Sequence, residues 1–332
     1  MTLGAAVLGA GLVLAGCSGS SGGGAVPATR GAAASDAGAP AARALSPLSR
    51  TNTRRPDTVV IKSKPGCTSV DTGGYYGLVF AKVVYTTPIK HAVIDGAASD
   101  GSFCDVVVYI PPTVTNAVID QSVIEHGRLV GILAQNTTNA TVTQTVVQQV
   151  GDGYQPGDSG LYGLQNGVDI DYENSSGHVQ WNLFWQYQKN GTEFYQSTLA
   201  FDHNVAVGTD GPPNTSVNPP YDVIAQNGFE VDYSTIVEGS NSAFRNQYNN
   251  PNDPVYNRGA AGFLYFGATT GGHPFTCADF TRDRDFAPSY LTDPVLGNDI
   301  PFYAAPNYTV DGTCKKGTGA TFAATGMNPT SH

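Results

Sequence analysis

Charged residues are scarce in this chain, and apolar residues do not recur at helical spacing over any long stretch. Only 13% of the 332 residues are charged, whereas glycine and proline are abundant, at 40 and 21 residues. A helical bundle needs long segments with one apolar and one charged face, so this composition excludes one. It favours instead one large domain of many short strands joined by turns.

Basic residues are few, and five of the 17 lie before residue 57. Residues 18–56 consist mainly of Gly, Ala, Ser and Pro, a composition typical of a flexible tether. The first 56 residues carry five Arg and one Asp, a net +4, so the chain's −10 leaves −14 for residues 57–332. A surface this acidic repels nucleic acid. We therefore expect no nucleic-acid partner, and a neutral sugar, a cation or a cationic partner fits better.

No apolar run is long enough to span a bilayer. The longest extends from Leu3 to Ala15 and leads into Leu14-Ala15-Gly16-Cys17, which is similar to the bacterial lipobox, whose Cys becomes the lipidated first residue. The leader departs from the usual pattern because no Lys or Arg precedes the run. The resemblance implies a signal peptide at 1–17, lipidation of Cys17 and an exported protein held on the outer side of the bacterial cell membrane by lipid alone. A plain secreted protein and a buried apolar N-terminus are the alternatives.

Four further cysteines lie at Cys67, Cys104, Cys277 and Cys314. Export implies an oxidising compartment, where an even number of cysteines predicts disulfides. Of the three sets of pairings that are open, sequence proximity favours Cys67–Cys104 and Cys277–Cys314. Those bonds would pin the two ends of a repeat structure, where no further repeat covers the core.

A six-residue phrase occurs three times between residues 91 and 145. It reads His-Ala-Val-Ile-Asp-Gly at 91–96, Asn-Ala-Val-Ile-Asp-Gln at 116–121 and Asn-Ala-Thr-Val-Thr-Gln at 139–144, with starts 25 and 23 residues apart. So short a repeat must stack on its copies to bury its apolar face. Its β-branched residues indicate a strand. A second apolar segment recurs about ten residues upstream, which predicts two registered strands per coil.

These features resemble the right-handed parallel β-helix proteins of the pectate-lyase-like superfamily. The resemblance lies in the Gly-Ile/Val strand, the Asn-rich turn and the Val-x-x-[Asn/Gln/Asp]-x-Val strand between Val93 and Val237. It implies an all-β solenoid of about seven to ten coils at residues 57–270, with an irregular cap at 271–332. The superfamily includes lyases, hydrolases, epimerases and non-catalytic surface proteins, so the fold alone does not select a function.

Two insertions interrupt the later coils. Gly151–Gly160 and Thr209–Pro220 have loop-like composition and lie in the two longest intervals between predicted strands. If both leave the coil after the same strand, they wall a groove along one face. Insertions on one face often mark the binding face of a repeat protein.

The segment Val-Asp-Ile-Asp-Tyr-Glu-Asn at 168–174 carries the candidate chemistry. Alternation places its apolar residues, Val168 among them, inside and its acids Asp169, Asp171 and Glu173 outside, about 6.6 Å apart along the strand. That spacing is near the lower limit for the two carboxyls of an inverting glycosidase. The row therefore predicts Asp169 and Asp171 as catalytic residues that could also share a Ca²⁺ ion.

Neighbouring coils are expected to add polar groups to this acidic row. They are Asp202 as a third catalytic residue, and Asn182, Asn204, Glu230 and Asp232, which with Glu173 would bind substrate. A row of acids also keeps a soluble β-helix in solution without further function, and this alternative stays open. The bases Lys189, Arg245 and Arg258 are not expected beside the row, which argues against lyase chemistry on uronates.

Three rings in the later coils are expected in the core. Alternation with the apolar residues of their own segments places Trp181, Trp185 and His203 inside. Core packing is therefore favoured for the two tryptophans, and stacking on a sugar is the alternative if either ring faces outward. For His203 a hydrogen-bonded core or turn position is favoured over a catalytic role.

Two functions fit the sequence. The first is a monomeric cell-surface lipoprotein whose β-helix binds polysaccharide or another envelope component. The second is a glycan-cleaving hydrolase or lyase that uses Asp169, Asp171 and Asp202. No cofactor is required for either, and Ca²⁺ is the one that the acidic row suggests. Carboxylates on different faces could not act on one bond, so the position of Asp202 relative to Asp171 separates the two.

Overall fold

The computed structural model describes residues 64–73, 76–151, 166–208, 227–244, 246, 261–285, 300–307, 310–315 and 317–319. The regular elements in these ranges are 24 β-strands in three sheets. Within the same ranges there is no helix with the length and apolar character needed to cross a membrane. The leader and the tether predicted at 1–56 lie outside the described residues.

The first sheet consists of parallel strands with one antiparallel strand at its edge. Its parallel strands, in stacking order, are β2 (Leu78–Val84), β5 (Val106–Ile110), β8 (Val130–Gln135), β11 (Val168–Glu173), β14 (Asn190–Tyr195), β17 (Asn227–Asp232), β20 (Ala261–Phe266) and β24 (Ile300–Ala305). The edge strand β1 (Thr68–Asp71) pairs with β2 in antiparallel orientation.

The second and third sheets consist of shorter strands. The second sheet contains β3 (Ile89–Lys90), β6 (Val118–Asp120), β9 (Ala140–Thr143), β12 (Ser176–Gln180), β15 (Thr198–Asp202), β18 (Thr235–Glu238) and β21 (Thr269–Thr270), with β22 (His273–Pro274) antiparallel at its edge. The third sheet contains β4 (Val93–Asp95), β7 (Val123–Glu125), β10 (Val146–Val150), β13 (Leu183–Tyr187), β16 (Val205–Val207), β19 (Ser242–Phe244) and β23 (Arg284–Asp285).

The chain passes through the first, second and third sheets in that order and then repeats. This arrangement confirms the all-β parallel solenoid expected from the repeated phrase. Each coil contains three strands rather than the predicted two. Only two residues separate β6 from β7, and two separate β9 from β10. Because the corner is so short, the two strands read as one apolar segment in the sequence.

The structure confirms the offset between the second and third phrases and corrects the first. Val118 pairs with Thr141 at the 23-residue offset. Val93 instead lies in the third sheet, opposite Val123. The first phrase was therefore aligned with the wrong strand of the next coil, because neighbouring strands carry similar sequences.

Residues with positive φ form the corners between sheets. Between the first and second sheets they include Asn136, Asn174, Gln196 and Tyr233, and between the second and third sheets they include His91, Gln121, Gln144, Trp181 and His203. Asn and His are among the residues that adopt this conformation most readily. A corner interrupts the alternation of side chains, so the inward and outward positions of one strand do not carry over to the next.

The residue after the second corner is buried, and in successive coils it forms a stack that we call the asparagine ladder: Asn182, Asn204, Asn241 and Asp283. The amide of Asn182 donates to Oδ1 of Asn204 at 3.1 Å, and the amide of Asn204 donates to Oδ1 of Asn241 at 3.0 Å. Nδ2 of Asn204 also donates to the Val179 carbonyl at 2.8 Å. The ladder satisfies corner backbone groups that water cannot reach.

The core is largely aliphatic in the early coils and aromatic in the later ones. Phe194, Phe201, Phe229, Phe263 and Phe302 are fully buried. Ring contacts connect them: Phe201 and Phe229 meet edge to face with centroids 5.0 Å apart, and Phe263 stacks on Phe302 at 4.8 Å. Burial of each such side chain stabilises the fold by about 1.5–3 kcal/mol.

Both predicted disulfides are present. Cys67 is bonded to Cys104 and Cys277 to Cys314, with Cα atoms 5.9 and 5.5 Å apart. One bond lies near each end of the described solenoid, as expected from the need to pin its ends.

The segment predicted as an irregular cap at 271–332 is partly regular. β23 adds a strand to the third sheet and β24 adds one to the first. The prolines of this segment suggested a loop, but Pro301 lies within β24 near its start. The solenoid therefore continues beyond residue 270.

Candidate functional site

The side chain of Asp169 was predicted to point outward, but in the structure it does not. Its neighbours in register are Gly131 and Gly191. A Cβ atom at Gly131 would lie 2.5 Å from Cγ1 of Val147, and one at Gly191 would lie 3.1 Å from Cε1 of Tyr187. Those side chains fill the inner side of the third sheet, so Asp169 enters the core.

Alternation fails here because the strands of the first sheet place two consecutive residues inside. Val107 and Val108 in β5 both belong to the core. Val168 correspondingly faces outward beside Val130, against the prediction, whereas Ile170 is inside. This interruption of the alternation near the start of the strands is not visible as a pattern in one sequence.

The Asp169 carboxyl is fully buried, and neither oxygen has a hydrogen-bond partner of ordinary geometry among the described residues. Burial raises its pKa well above the usual range, although the Trp185 amide acts in the opposite direction. Burial disfavours the charged form of this carboxyl. Asp169 thus lacks the solvent access that a nucleophile or metal ligand needs.

Asp171 and Glu173 point outward, away from the core, but both are buried, at 0% and 4% exposure. Tyr76, in the turn between β1 and β2, donates its hydroxyl proton to Oδ2 of Asp171 at 2.7 Å. Nε2 of Gln135 donates to Oε2 of Glu173 at 2.9 Å. The outer face of the first sheet is therefore covered at these positions rather than lined by solvated acids.

Asp171 belongs to a carboxylate column with Glu193 and Glu230, which occupy the same register on three adjacent strands. Nζ of Lys189 lies 2.5 Å from Oε2 of Glu193, and Nδ2 of Asn190 donates to Oε2 of Glu230 at 2.6 Å. Lys189 was not expected beside the acids. It lies directly before β14, where alternation within a strand gives no information.

Sequence reasoning missed Glu193 and Asn190, although a signal was present. Asn-Gly-x-Glu occurs at 190–193 and again at 227–230. In the structure Asn227 donates through Nδ2 to Oδ1 of Asn190 at 3.0 Å, and Glu193 pairs with Glu230. A four-residue repeat at a 37-residue offset could have placed these side chains in one column.

The three predicted catalytic acids are not brought together. Asp169 enters the core, Asp171 lies on the outer face of the first sheet, and Asp202 lies in the second sheet. Oδ1 of Asp202 accepts a hydrogen bond from the Ser240 amide at 2.6 Å. Asp169 and Asp171 extend to opposite sides of one strand, so they cannot share a Ca²⁺ ion.

The predicted substrate-binding residues are also distributed over different environments. Asn182 and Asn204 belong to the asparagine ladder inside the coil, because the corner before them reverses the expected side. Glu230 belongs to the carboxylate column, and Asp232, at the end of β17, is fully buried. None of these side chains forms an exposed row with Glu173.

Both predicted insertions connect a strand of the third sheet to the next strand of the first sheet. The first lies between β10 and β11 and the second between β16 and β17. They therefore leave the coil after the same strand, as expected. Apart from Gly151, the inserted residues lie outside the described ranges.

Trp181 and His203 lie at the surface, not in the core as predicted. Trp181 is 51% exposed, and its ring stacks on the imidazole of His203 with centroids 3.8 Å apart and planes 12° apart. Nδ1 of His203 lies 2.6 Å from Oδ2 of Asp202. Both rings belong to corner residues with positive φ, so alternation counted across the corner gave the wrong side.

Trp185 also differs from its prediction. Phe184 beside it fills the core, so Trp185 faces outward from the third sheet and is partly exposed. The core of this coil is closed by Phe184 and Tyr187. The two tryptophans therefore contribute to the surface of the molecule.

The outer side of the second sheet forms a face with aromatic side chains along both edges, which we call the aromatic-edged face. Its central row contains His178, Ala200 and Val237, in register on β12, β15 and β18. His178 is exposed, and Val237 is 69% exposed. This part of the second sheet is open to solvent.

The two edges of this face lie at the corners of the coil. One edge carries the stacked Trp181 and His203. The other carries the corner residue Tyr233, whose ring centroid is 6.4 Å from that of Tyr195 at the end of β14. A five-residue strand such as β15 separates the edges by about 13 Å at the usual rise per residue.

One group in the described part of the chain could hold a metal ion. Ligand atoms of Asp95, Glu125 and His126 on the third sheet lie within 4.8 Å of one another. Nδ1 of His126 is 2.9 Å from Oδ1 of Asp95, and Gln148 donates to Glu125 at 2.8 Å. Partial burial favours a raised pKa for Asp95, but hydrogen bonds from the Ala97 amide and His126 outweigh it and lower the pKa. The contact of His126 with Asp95 and the hydrogen bond of Gln148 to Glu125 hold these side chains in place.

Comparisons of the chain with protein-family models, curated proteins and solved structures gave no match. Function is therefore inferred from the residues and their geometry alone.

Proposed function

We propose that this protein is a bacterial cell-surface lipoprotein whose β-helix binds polysaccharide on the aromatic-edged face. The observation that carries the proposal is Trp181, a half-exposed indole held in one orientation by its stack on His203. A sugar ring has an apolar face of C–H groups that packs on an aromatic ring through dispersion and burial. A ring fixed before binding loses little entropy when the sugar arrives.

Polar side chains beside the stack can orient a sugar. His178 and Gln180 lie on the outer side of β12, and Asp202 lies on the adjacent strand. Sugar hydroxyls both donate and accept hydrogen bonds, so an imidazole, an amide and a carboxylate suit them. A few polar groups beside an apolar contact surface are typical of small-molecule sites.

The charge of the folded part indicates which glycans are suitable. Residues 57–332 carry a net −14. An anionic polysaccharide would be repelled from such a surface at low ionic strength. A neutral glycan is the ligand class that we propose, with no nucleic-acid partner and a monomeric protein.

Right-handed coiling and a total of about seven to ten coils are part of the same proposal. Successive strands of the first sheet are parallel and connected through the other two sheets, and such crossovers are right-handed in nearly all proteins. Eight parallel strands in the first sheet support the number of coils.

Replacing Trp181 with glutamine should weaken glycan binding about tenfold or more, because a buried aromatic anchor typically contributes most of a small interface. Gln121 and Gln144 occupy the same corner in earlier coils with similar positive φ, so the backbone should be unchanged. A glycan array would identify ligands of the purified protein, and calorimetry would then measure affinity for wild type and variant.

The matched control is His91→Gln, a substitution at the same corner of an early coil, where His91 is exposed. It should bind like wild type. Wild-type affinity in Trp181→Gln for every bound glycan would refute the assignment of the face.

The lipid anchor is supported by Leu14-Ala15-Gly16-Cys17 after a short apolar run. Replacing Cys17 with serine removes the thiol that would carry the lipid, so the protein should move from the membrane fraction to the soluble fraction. Cell fractionation followed by immunoblotting measures this. Retention of the Cys17→Ser protein on membranes would contradict lipid anchoring.

A glycan-cleaving enzyme is a second candidate, favoured by the contact of Lys189 with Glu193 inside the carboxylate column. A base beside acids is the combination that acid–base cleavage requires. The decisive assay is release of reducing or unsaturated ends from the glycans that the wild-type protein retains. Glycan binding without release of such ends would rule out the enzyme and support only the non-catalytic function.

A further inference from the structure

We propose that Glu238 and Asp283 form a proton-dependent latch that fastens residues 275–283 to the end of the solenoid. The two side chains come from different segments and meet inside the protein. The latch is separate from the aromatic-edged face and does not depend on glycan binding.

Glu238 occupies a core position. Its partner in register is the fully buried Phe201, which follows Val179 in the same column. The hydroxyl of Tyr265 donates to Oε1 of Glu238 at 2.6 Å, and Nδ2 of Asn241 donates to the same oxygen at 3.1 Å. The other oxygen, Oε2, is buried without a hydrogen bond from any of these donors.

Asp283 ends the asparagine ladder and faces Glu238. Its Oδ1 accepts a hydrogen bond from the Asn241 amide at 2.9 Å, and its Oδ2 is buried without such a donor. The two carboxyls are within hydrogen-bonding reach of each other. Two carboxylates cannot donate, so a hydrogen bond between them requires a proton on one of them.

The segment fastened by this contact covers the aromatic end of the core. Phe275 and Phe280 are buried, and the Phe280 ring lies 5.1 Å from Tyr265 and 5.0 Å from Phe302. Near its start the segment is held covalently by the disulfide of Cys277. Its far end is held by the ladder contact of Asp283 and, one residue later, by the pairing of Arg284 with Ser242 in the third sheet. Loss of the Asp283 contact would weaken the attachment of this end while the disulfide retains the other.

The neighbours of the pair determine how it titrates. Burial raises the pKa of Asp283 to about 7, although hydrogen bonds from Asn241 and the charge of exposed Arg282 oppose the rise. Burial, and then the charge of Asp283, raise the pKa of Glu238 well above its usual range. Tyr265 stays protonated because burial and the two carboxyls raise its pKa as well. The pair is therefore protonated below neutral pH.

The direction of the pH effect follows from these shifts. A carboxyl in an opened segment has a pKa of about 4, so the closed state binds the proton more tightly than the open state. The closed state is most stable at low pH and loses stability as pH rises from about 4 toward 7. Each pH unit in that interval should increase the opening equilibrium about tenfold for one linked proton.

Hydrogen exchange of the full protein between pH 5 and 8, corrected for intrinsic rates, tests the latch. In wild type, opening of residues 275–283 should increase about tenfold per pH unit up to about pH 7. Asp283→Asn places the ladder's own residue at its end, and its Nδ2 can donate to Glu238 without a proton from solvent. In this variant the opening equilibrium should change little with pH, instead of about tenfold per pH unit.

Asp311→Asn is the matched control, because Asp311 is exposed in the same C-terminal region and its Oδ1 accepts from the Thr313 amide at 2.9 Å, which Asn can also do. Opening of residues 275–283 in this control should depend on pH as it does in wild type. If Asp283→Asn does not fold, the same hydrogen-exchange measurement on Glu238→Gln tests the latch, since Gln can donate to Asp283. A pH dependence equal to wild type in the folded variant, or none in wild type, would overturn the latch.

Discussion

Replacing Asp169 with valine should stabilise the folded protein by about 2–4 kcal/mol at pH 7, since the change removes a buried carboxyl whose oxygens have no hydrogen bond of ordinary geometry. Val107 occupies the same column in β5, so valine fits this environment. Val147, Phe184 and other apolar groups surround the site. Urea denaturation of wild type and variant measures the change in the free energy of unfolding.

The gain from Asp169→Val should depend on pH. The folded-state pKa of Asp169 is raised, so its presence reduces stability as pH rises above about 4. The stability difference should accordingly grow from pH 4 to pH 7. Asp120→Val is the control, since Asp120 is partly exposed in β6 and accepts from Thr143 at 2.9 Å. A destabilised Asp169→Val protein would contradict this account, because it would show that the contacts of the carboxyl, such as that with the Trp185 amide, outweigh the cost of burying it.

Replacing Asn204 with alanine should cost about 3 kcal/mol of stability. The side chain accepts from the Asn182 amide and donates to the Val179 carbonyl, and both backbone groups would lose that partner inside the protein. A buried backbone group without a partner costs about 1–3 kcal/mol. The free energy of unfolding in urea is again the measurement.

Two comparisons separate a structural role for Asn204 from substrate binding. Thr235→Ala removes the exposed hydrogen bond to Thr269 and should change stability by less than about 0.5 kcal/mol. Asn204→Ser introduces the hydroxyl that Ser122 carries in the same corner position. Its free energy of unfolding should lie between those of wild type and Asn204→Ala. The folded fraction of Asn204→Ala should bind glycan normally. Unchanged stability together with lost glycan binding would instead show that Asn204 contacts the ligand.

The fold could be predicted to a large extent because stacking leaves a local record. Val118 and Thr141 lie in equivalent positions of adjacent coils, and the sequence between them contains a whole turn of the solenoid. The two disulfides followed from export and proximity. The third strand of each coil was missed because a two-residue corner separates it from the second and carries no Gly or Pro.

The candidate site could not be predicted as well, for two physical reasons. Alternation holds only within a regular strand, so its interruption at Asp169 and the corners at Trp181 and His203 each reversed a predicted side. Burial of an outward residue also depends on distant segments. Tyr76, 95 residues before Asp171, covers that carboxyl, and no local pattern indicates this contact.

The most direct test of glycan binding on the aromatic-edged face is the fluorescence of Trp181 in a Trp185→Phe variant. The chain contains two tryptophans, so Trp181 would be the only emitter of its kind. Titration with a neutral glycan retained by the wild-type protein should change its emission saturably, with the dissociation constant that calorimetry gives. Calorimetric binding without any change in Trp181 emission would contradict the proposed face.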